Sequence, residues 1–483
     1  RHGIKLYRDV GAPDGPIIHY LHALMQLFAG MSDHGCRVAD IVFHFGGSCV
    51  MGAVLAPRFA TSRRANVGQR FAWAVVASSM WFSWYLTSGW FNTVQRDAYY
   101  ALIGYLGLVL VYASADFEGT LGQAVALGGG FLVGTQLFGR PFGIVYVAMA
   151  GLGLAAADPG EPFRWERAKA TAIGVVASAV AILGTLSIVG SLRGLVFWYF
   201  RFPLSAYQFI GRQSFFRLLT EEYAAAASIA IFVLVGVGGA VLVGALPRRT
   251  IGFAFTPLLF LAAASWAGKG WPQHVQQVTA GANVVLLVVL SRLWHHRSSL
   301  VEWSGPHAGA AVLVLLLAAY RCNALLQESP FARESPVPND YAGAEAAGRW
   351  VRDHTDPTDS LFMFHHDAHV MITAERRPAI PYYVNSVLSI RTWLEHEPGE
   401  KPTPSQRASF DKLQDDIAND ACHRLLGSPP AAMVLVDRPP KYGPDAITDL
   451  GTLCPGFPAL TAARYVRNNI AGYPVYLRND RVR

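Results

Sequence analysis

The stretch AAAASIAIFVLVGVGGAVLVGAL, Ala224 to Leu246, holds 23 residues and no charge. A helix of roughly 20 apolar residues crosses the hydrocarbon core of a bilayer. A soluble helix needs only one apolar stripe, whereas this stretch is apolar on every side. It therefore reads as a membrane span. Working outward, FAWAVVASSMWFSWYLTSGWF (71–91) and AIGVVASAVAILGTLSIVG (172–190) have the same character. The chain as a whole agrees, because it is 52% hydrophobic and 15% charged, with mean hydropathy +0.28. Soluble domains carry about 25% charged residues. The sequence predicts a polytopic α-helical membrane protein.

Spans are expected near 38–57, 70–91, 99–114, 121–138, 142–157, 170–191, 223–246, 251–268, 280–291 and 306–322. Short loops rich in Lys and Arg stay in the cytoplasm. Arg58, Arg63, Arg64 and Arg70 form one such loop, Arg164, Arg167 and Lys169 a second, Arg248 and Arg249 a third, Arg292 and Arg297 a fourth. Alternating ten spans puts all four on one side, although the spans were drawn from hydropathy alone. The opening turn, the loops 92–98, 139–141 and 269–279, the segment 192–222 and the tail then fall outside.

Charge divides the chain too. Residues 1–324 hold 23 Lys and Arg against 13 Asp and Glu, while residues 325–483 hold 17 against 20. A membrane domain (1–324), a linker (325–341) and a soluble α/β domain (342–483) are expected. The basic balance sits in the membrane half, which fits orientation and contact with anionic membrane lipids, not nucleic acid. In the tail, 342–354 and 405–426 read as helices, and 360–364, 431–437 and 473–479 as strands. Cys36, Cys49 and Cys322 belong to apolar runs and read as small buried hydrophobes, while Cys422 and Cys454 suit a disulfide if the tail faces an oxidising compartment. The chain starts in a polar segment without an initiator Met, which leaves room for a hydrophobic segment upstream.

The outer segments hold the residues that suit chemistry. YRDVGAPDGPIIHY (7–20) brings Arg8, Asp9 and Asp14, NTVQRDA brings Arg96 and Asp97, FGRPFG brings Arg140, and GKGWPQH brings Lys269 and His274. The segment 192–222 carries Arg193, Arg201, Arg212 and Arg217 among aromatics, against the positive-inside trend. A carboxylate at the membrane boundary can take a proton from an incoming hydroxyl. Arginines and a lysine can hold a phosphate and stabilise the charge it gains on leaving. Together these describe group transfer from a lipid-linked phosphate.

The stretch YRDVGAPDGPIIHYLHALMQLFAG resembles the first outer loop of GT-C glycosyltransferases, in the glycosyltransferase family 39-like branch of protein O-mannosyltransferases and lipid A aminoarabinose transferases. The resemblance rests on Tyr7-Arg8-Asp9, on Gly15-Pro16 and on Phe28-Ala29-Gly30. GKGWPQHVQQVTAGANVVLL and FGRPFG resemble later outer elements of that superfamily, and the likeness spans the membrane half. Many relatives have Lys-Pro-Pro-Gly at the turn, where this chain has Asp14-Gly15-Pro16. The resemblance implies an inverting glycosyltransferase that takes sugar from a polyprenyl-phosphate donor on the extracytoplasmic side, with Asp9 as general base and Asp97 as a second carboxylate. The phosphate then falls to Arg8, Arg96, Arg140, Arg201, Lys269 and His274. The acceptor stays open among lipid, protein and polysaccharide. No cofactor is required, a divalent cation remains an alternative, and no metal-ligand spacing is seen.

Each residue has a plainer reading. Asp9 can cap the helix starting near Pro16 or pair with Arg8 in a solvated loop, Asp14 suits capping or turn formation, and Asp97 suits the first turn of a helix. The outer arginines can be interfacial anchors. His365, His366, Asp367 and His369 read as a polar loop instead of a metal site. The rival function is a membrane transporter or lipid flippase with an extracytoplasmic accessory domain. It requires mid-span ionisable groups and pseudo-symmetric halves, and Asp40 and His44 come nearest.

Overall fold

The computed structural model describes residues 6–11, 14–30, 33–55, 67–85, 96–155, 164–205, 208, 212–242, 248–269, 272–295, 341–364, 368–382, 388, 402–436 and 445–482. By contact they form two compact units, one of 1–14, 185–213 and 337–483, the other of 15–184 and 214–336.

The second unit is a helical bundle. Its helices are α1 (Pro16–Ala29), α2 (Asp33–Leu55), α3 (Val67–Tyr85), α4 (Arg96–Ala113), α5 (Gly119–Thr135), α6 (Ile144–Ala155) and α7 (Trp165–Ile188), whose last turn passes into the other unit. After the outer segment come α8 (Ala224–Leu242), α9 (Ile251–Ala267) and α10 (Gln276–His295). Among the described residues, five helices are long and apolar enough to cross a membrane. They are Gly35–Leu55, Arg96–Asp116, Gly119–Phe138, Trp165–Ile188 and Ala224–Leu242, joined by three shorter apolar helices. Nine of the ten expected spans coincide with helices, and the tenth, 306–322, lies outside the described residues with the linker and the His365–Asp367 stretch.

Burial ranks these helices. The span Arg96–Asp116 is 78% buried and Trp165–Ile188 only 28%. So α4 is the axis of the bundle, packed on α2, α5, α6 and α10, and α7 turns Ile173, Val176, Val180 and Ile188 outward. Hydrocarbon is the solvent that such a face tolerates. The far end of α4 collects the basic loops: Arg167 Nη2 donates to Phe117 O at 2.5 Å, Arg164 to Ala115 O, and Tyr112 Oη meets Thr250 Oγ1 at 3.2 Å.

The first unit centres on a five-stranded sheet in the order β2–β1–β3–β5–β4, built from β1 (Ser360–Phe364), β2 (Arg377–Pro378), β3 (Ala432–Leu435), β4 (Tyr465–Ile470) and β5 (Tyr473–Arg478). β1 runs parallel to β2 and β3, while β5 runs antiparallel to β3 and β4. β1 and β3 are buried on both faces, which suits their unbroken apolar runs. Helices α11 (Tyr341–His354), α12 (Ala368–Ala374), α13 (Pro404–Gly427), α14 (Ala446–Leu453) and α15 (Phe457–Arg464) accompany the sheet. α13 starts at a capping box, Thr403 with Gln406. Cys422 on α13 is disulfide-bonded to Cys454, which closes α14, while Cys36 and Cys49 are half-buried and outside any disulfide.

Two distant segments join this sheet domain. Gly11 N–H donates to Pro381 O at 2.6 Å, and the Trp198 ring lies 5.8 Å from that of Tyr382. Among the described residues of the segment 192–222, Leu192–Leu195, Val196–Arg201 and Phe202–Ser205 follow one another as one helical stretch, and Phe215–Arg217 and Leu218–Glu222 lead into α8. The stretch 192–205 is shorter than the roughly 20 residues that a span needs.

Candidate functional site

The start of α4 places Arg96 and Asp97 at one end of the bundle. Asp97 is 1% exposed. A buried carboxylate needs a partner, and Arg140 supplies it, with Nη2 2.7 Å from Asp97 Oδ2. Arg96 Nε stands 3.9 Å from the same oxygen. Arg140 reaches this place because the chain turns sharply between α5 and α6. Two 3₁₀ turns, Gln136–Phe138 and Pro141–Gly143, flank it, with Pro141 starting the second. Gly15 N–H, just before α1, donates to Gly139 O at 3.2 Å, so the Gly-Pro turn docks on the Gly-Arg-Pro turn.

The opposite wall comes from α9 and α10. Lys269 follows α9, and His274 sits in the turn Pro272–Val275 that leads into α10. Both are buried. Burial first, and then the charges of Arg140, Arg96 and Lys269, push the His274 imidazole well below its ordinary value, so it is neutral at neutral pH. Gln277 ties the walls together: its Nε2 donates to Asp97 O at 2.9 Å, Tyr146 Oη donates to its Oε1, and Tyr105 Oη donates to its backbone O at 2.7 Å. A recess that opens to solvent, with about 340 Å³ of empty space in and before it, is lined by Asp97, Tyr100, Gln136, Arg140, His274 and Gln277 among others.

Of the sequence candidates for phosphate, Arg96 and Arg140 meet Asp97, while His274 lines the same recess and feels the charge of both arginines and of Lys269. The other two, Arg8 and Arg201, belong to the first unit and are exposed. There Arg8 and Asp9 form a bidentate pair at 2.8 and 2.9 Å, with side chains 47% and 36% exposed. Asp14 does not cap α1 through its side chain, since Gly15 holds the N-cap place; its carbonyl accepts from Tyr7 Oη. Arg217 pairs with Glu221 at 2.9 Å on the surface. Among the described residues no group of three or more His, Cys, Asp or Glu is placed to hold a metal ion. Sequence reasoning missed Gln136, Tyr146 and Gln277, because neutral polar residues inside apolar helices carry no charge signal.

Fold and site define an integral membrane protein with a cation-rich recess at one end of its bundle and a separate α/β domain. No protein-family model matches the chain, and no curated protein matches it. Among solved structures the chain is similar to ArnT from Cupriavidus metallidurans in the apo state, with 14% identity and a TM-score of 0.48. The match covers 98% of this chain and 89% of that one.

Proposed function

We propose that this protein is a membrane glycosyltransferase of the GT-C type, moving a sugar from a polyprenyl-phosphate donor to an acceptor on the extracytoplasmic side. One observation carries the reading: Arg140 and Arg96 stand 2.7 and 3.9 Å from the Asp97 carboxylate, and with Lys269 they act on the buried imidazole of His274. Cations gathered at one recess suit an ionised phosphate. A guanidinium has five N–H donors, so the Arg140 bond to Asp97 leaves the rest of its fork for phosphate oxygens.

In this scheme the acceptor hydroxyl attacks the anomeric carbon of the donor. The bond from that carbon to the phosphate oxygen breaks, its electron pair stays on the oxygen, and the configuration inverts. Asp9 takes the hydroxyl proton. The cations of the recess stabilise the charge gathering on the departing polyprenyl phosphate. Asp97 keeps Arg140 and Arg96 in place and is the second candidate for the base.

The transporter reading draws on Asp40 and His44, buried in α2. His44 Nε2 is 3.5 Å from Asp40 Oδ1, Trp81 Nε1 donates to His44 Nδ1 at 3.0 Å, and Tyr85 Oη donates to Asp40. That set locks α2 to α3 through neutral donors, which suits a structural role. Incubating the purified protein with a panel of polyprenyl-phosphate sugars and assaying release of polyprenyl phosphate tests the proposal. No release from any donor, together with movement of lipid between leaflets in vesicles, would favour the rival.

A further inference from the structure

Tyr7 has φ 63°, a left-handed backbone for a residue that carries a Cβ. Such a conformation is costly and persists where the surroundings over-determine it. They do so here. Tyr7 N–H donates to Val10 O at 2.7 Å, and Tyr7 Oη donates to Asp14 O. A Cβ on Gly194 would stand 1.9 Å from Tyr7 O, and one on Gly11 would stand 1.9 Å from the Trp198 ring. The clamp continues into the soluble domain. Gly11 bridges to Tyr382 through the Pro381 carbonyl, and Trp198 faces the Tyr382 ring. Tyr382 Oη donates to Asp420 Oδ2 at 2.8 Å, where Arg424 Nε also donates at 2.9 Å. Both Asp420 and Arg424 belong to α13.

The backbone of residues 7–11 is therefore fixed on three sides, while the head groups of Arg8 and Asp9 stay open to solvent. A turn that only filled space would bury its side chains. This one presents them. We propose that the soluble domain is a positioning device for the first outer turn, with Trp198 and Tyr382 as positioning residues that set where Arg8 and Asp9 stand. The inference rests on the reading of Asp9 as the base of sugar transfer, and it gives the domain a role without chemistry of its own.

The test uses the full chain in lipid nanodiscs, with polyprenyl-phosphate sugar as donor, and reads three quantities. They are amide hydrogen exchange over residues 6–11, the transfer rate at saturating donor, and donor affinity. Tyr382→Ala is expected to speed exchange in the turn by about tenfold or more, as for a locally released segment. It should lower the maximal rate while donor affinity shifts by no more than about threefold, the mark of a lost transition-state arrangement. Tyr382→Phe keeps the ring and should lose less. Gly11→Ala drives a methyl into the Trp198 ring, and Trp198→Leu removes the ring that faces Tyr382, so each should likewise speed exchange at 6–11 and slow transfer. These two variants carry the proposal if Tyr382→Ala fails to fold. Unchanged exchange at 6–11 in Tyr382→Ala, or in both of the other variants, overturns it. Faster exchange with an unchanged rate supports the clamp and removes Asp9 from catalysis, so the two readings fail separately.

Discussion

Asp97 is sealed against Arg140, and that pairing shapes what any substitution at Arg140 will report. Removing one partner of a buried ion pair leaves the other uncompensated and costs about 3–5 kcal/mol. Arg140→Ala should therefore lower both thermal stability and donor affinity. Adding Asp97→Asn should restore much of the stability but not the affinity, because the phosphate still lacks its guanidinium. Arg140→Lys should sit between, keeping charge but losing the fork. Thermal unfolding in detergent and donor binding on the four proteins separate these effects, and full donor affinity in Arg140→Ala would exclude this arginine from the phosphate site. His274 gives a pH test. Its folded value is depressed, so the unfolded chain binds its proton more readily and stability rises with pH across the acid range. The destabilisation begins as pH falls through the unfolded histidine value, about 6.5. Wild type should lose stability between neutral and mildly acidic pH, and His274→Gln should lose less; parallel pH curves would contradict the shift. For Asp9, Asp9→Asn keeps the shape and removes the base, so transfer should fall by roughly 10²–10⁴-fold while Asp14→Asn does little. Near-normal transfer by Asp9→Asn would move the search for the base to Asp97.

Helices with a strong apolar signal were legible from the sequence, and short or polar elements were not. The tail strand 360–364 was visible because all of its described apolar residues are buried. β4, Tyr465–Ile470, escaped notice: at the sheet edge only Tyr465 is fully buried, so YVRNNI carries no apolar run. α14 and α15 have eight residues each, too few for a helical period to stand out. The disulfide joins one of these short helices to a long one, and its partners could be named from the sequence while the geometry could not. At a sequence separation of 32, the loop-closure model assigns the bond about 3–4 kcal/mol. Cys422→Ser with Cys454→Ser should lower the unfolding temperature of the soluble domain, followed by tryptophan fluorescence of the full chain, and added reductant should reproduce the shift in the wild type. A domain indifferent to both treatments would show that the bond does not hold α13 to α14.

The largest gap between sequence and structure lies in how distant segments group. Hydropathy and charge are read along the chain, so they divide it near residue 324. Contact instead gathers residues 1–14 and 185–213 with the tail, through bonds such as Gly11 to Pro381 that no one-dimensional pattern announces. This grouping bears on sidedness. We expect segments that share a compact unit to lie on one face of the membrane, which would give the first turn, the stretch 192–205 and the soluble domain one common side. Alternation of spans gives the same result independently, since it assigned all three to the outside from arginine placement. The bundle agrees with that sorting: Arg164, Arg167 and the turn Arg248–Thr250 meet the far end of α4, while Arg96, Arg140 and His274 gather at its start. A disulfide in the soluble domain also belongs to an oxidising compartment. We therefore expect the carboxy terminus to be extracytoplasmic. In a bacterial host, alkaline phosphatase fused after Arg483 should be active and green fluorescent protein at the same place dark. The reverse pattern would put the soluble domain in the cytoplasm together with Arg8 and Asp9, and would remove the outer-face transfer with them.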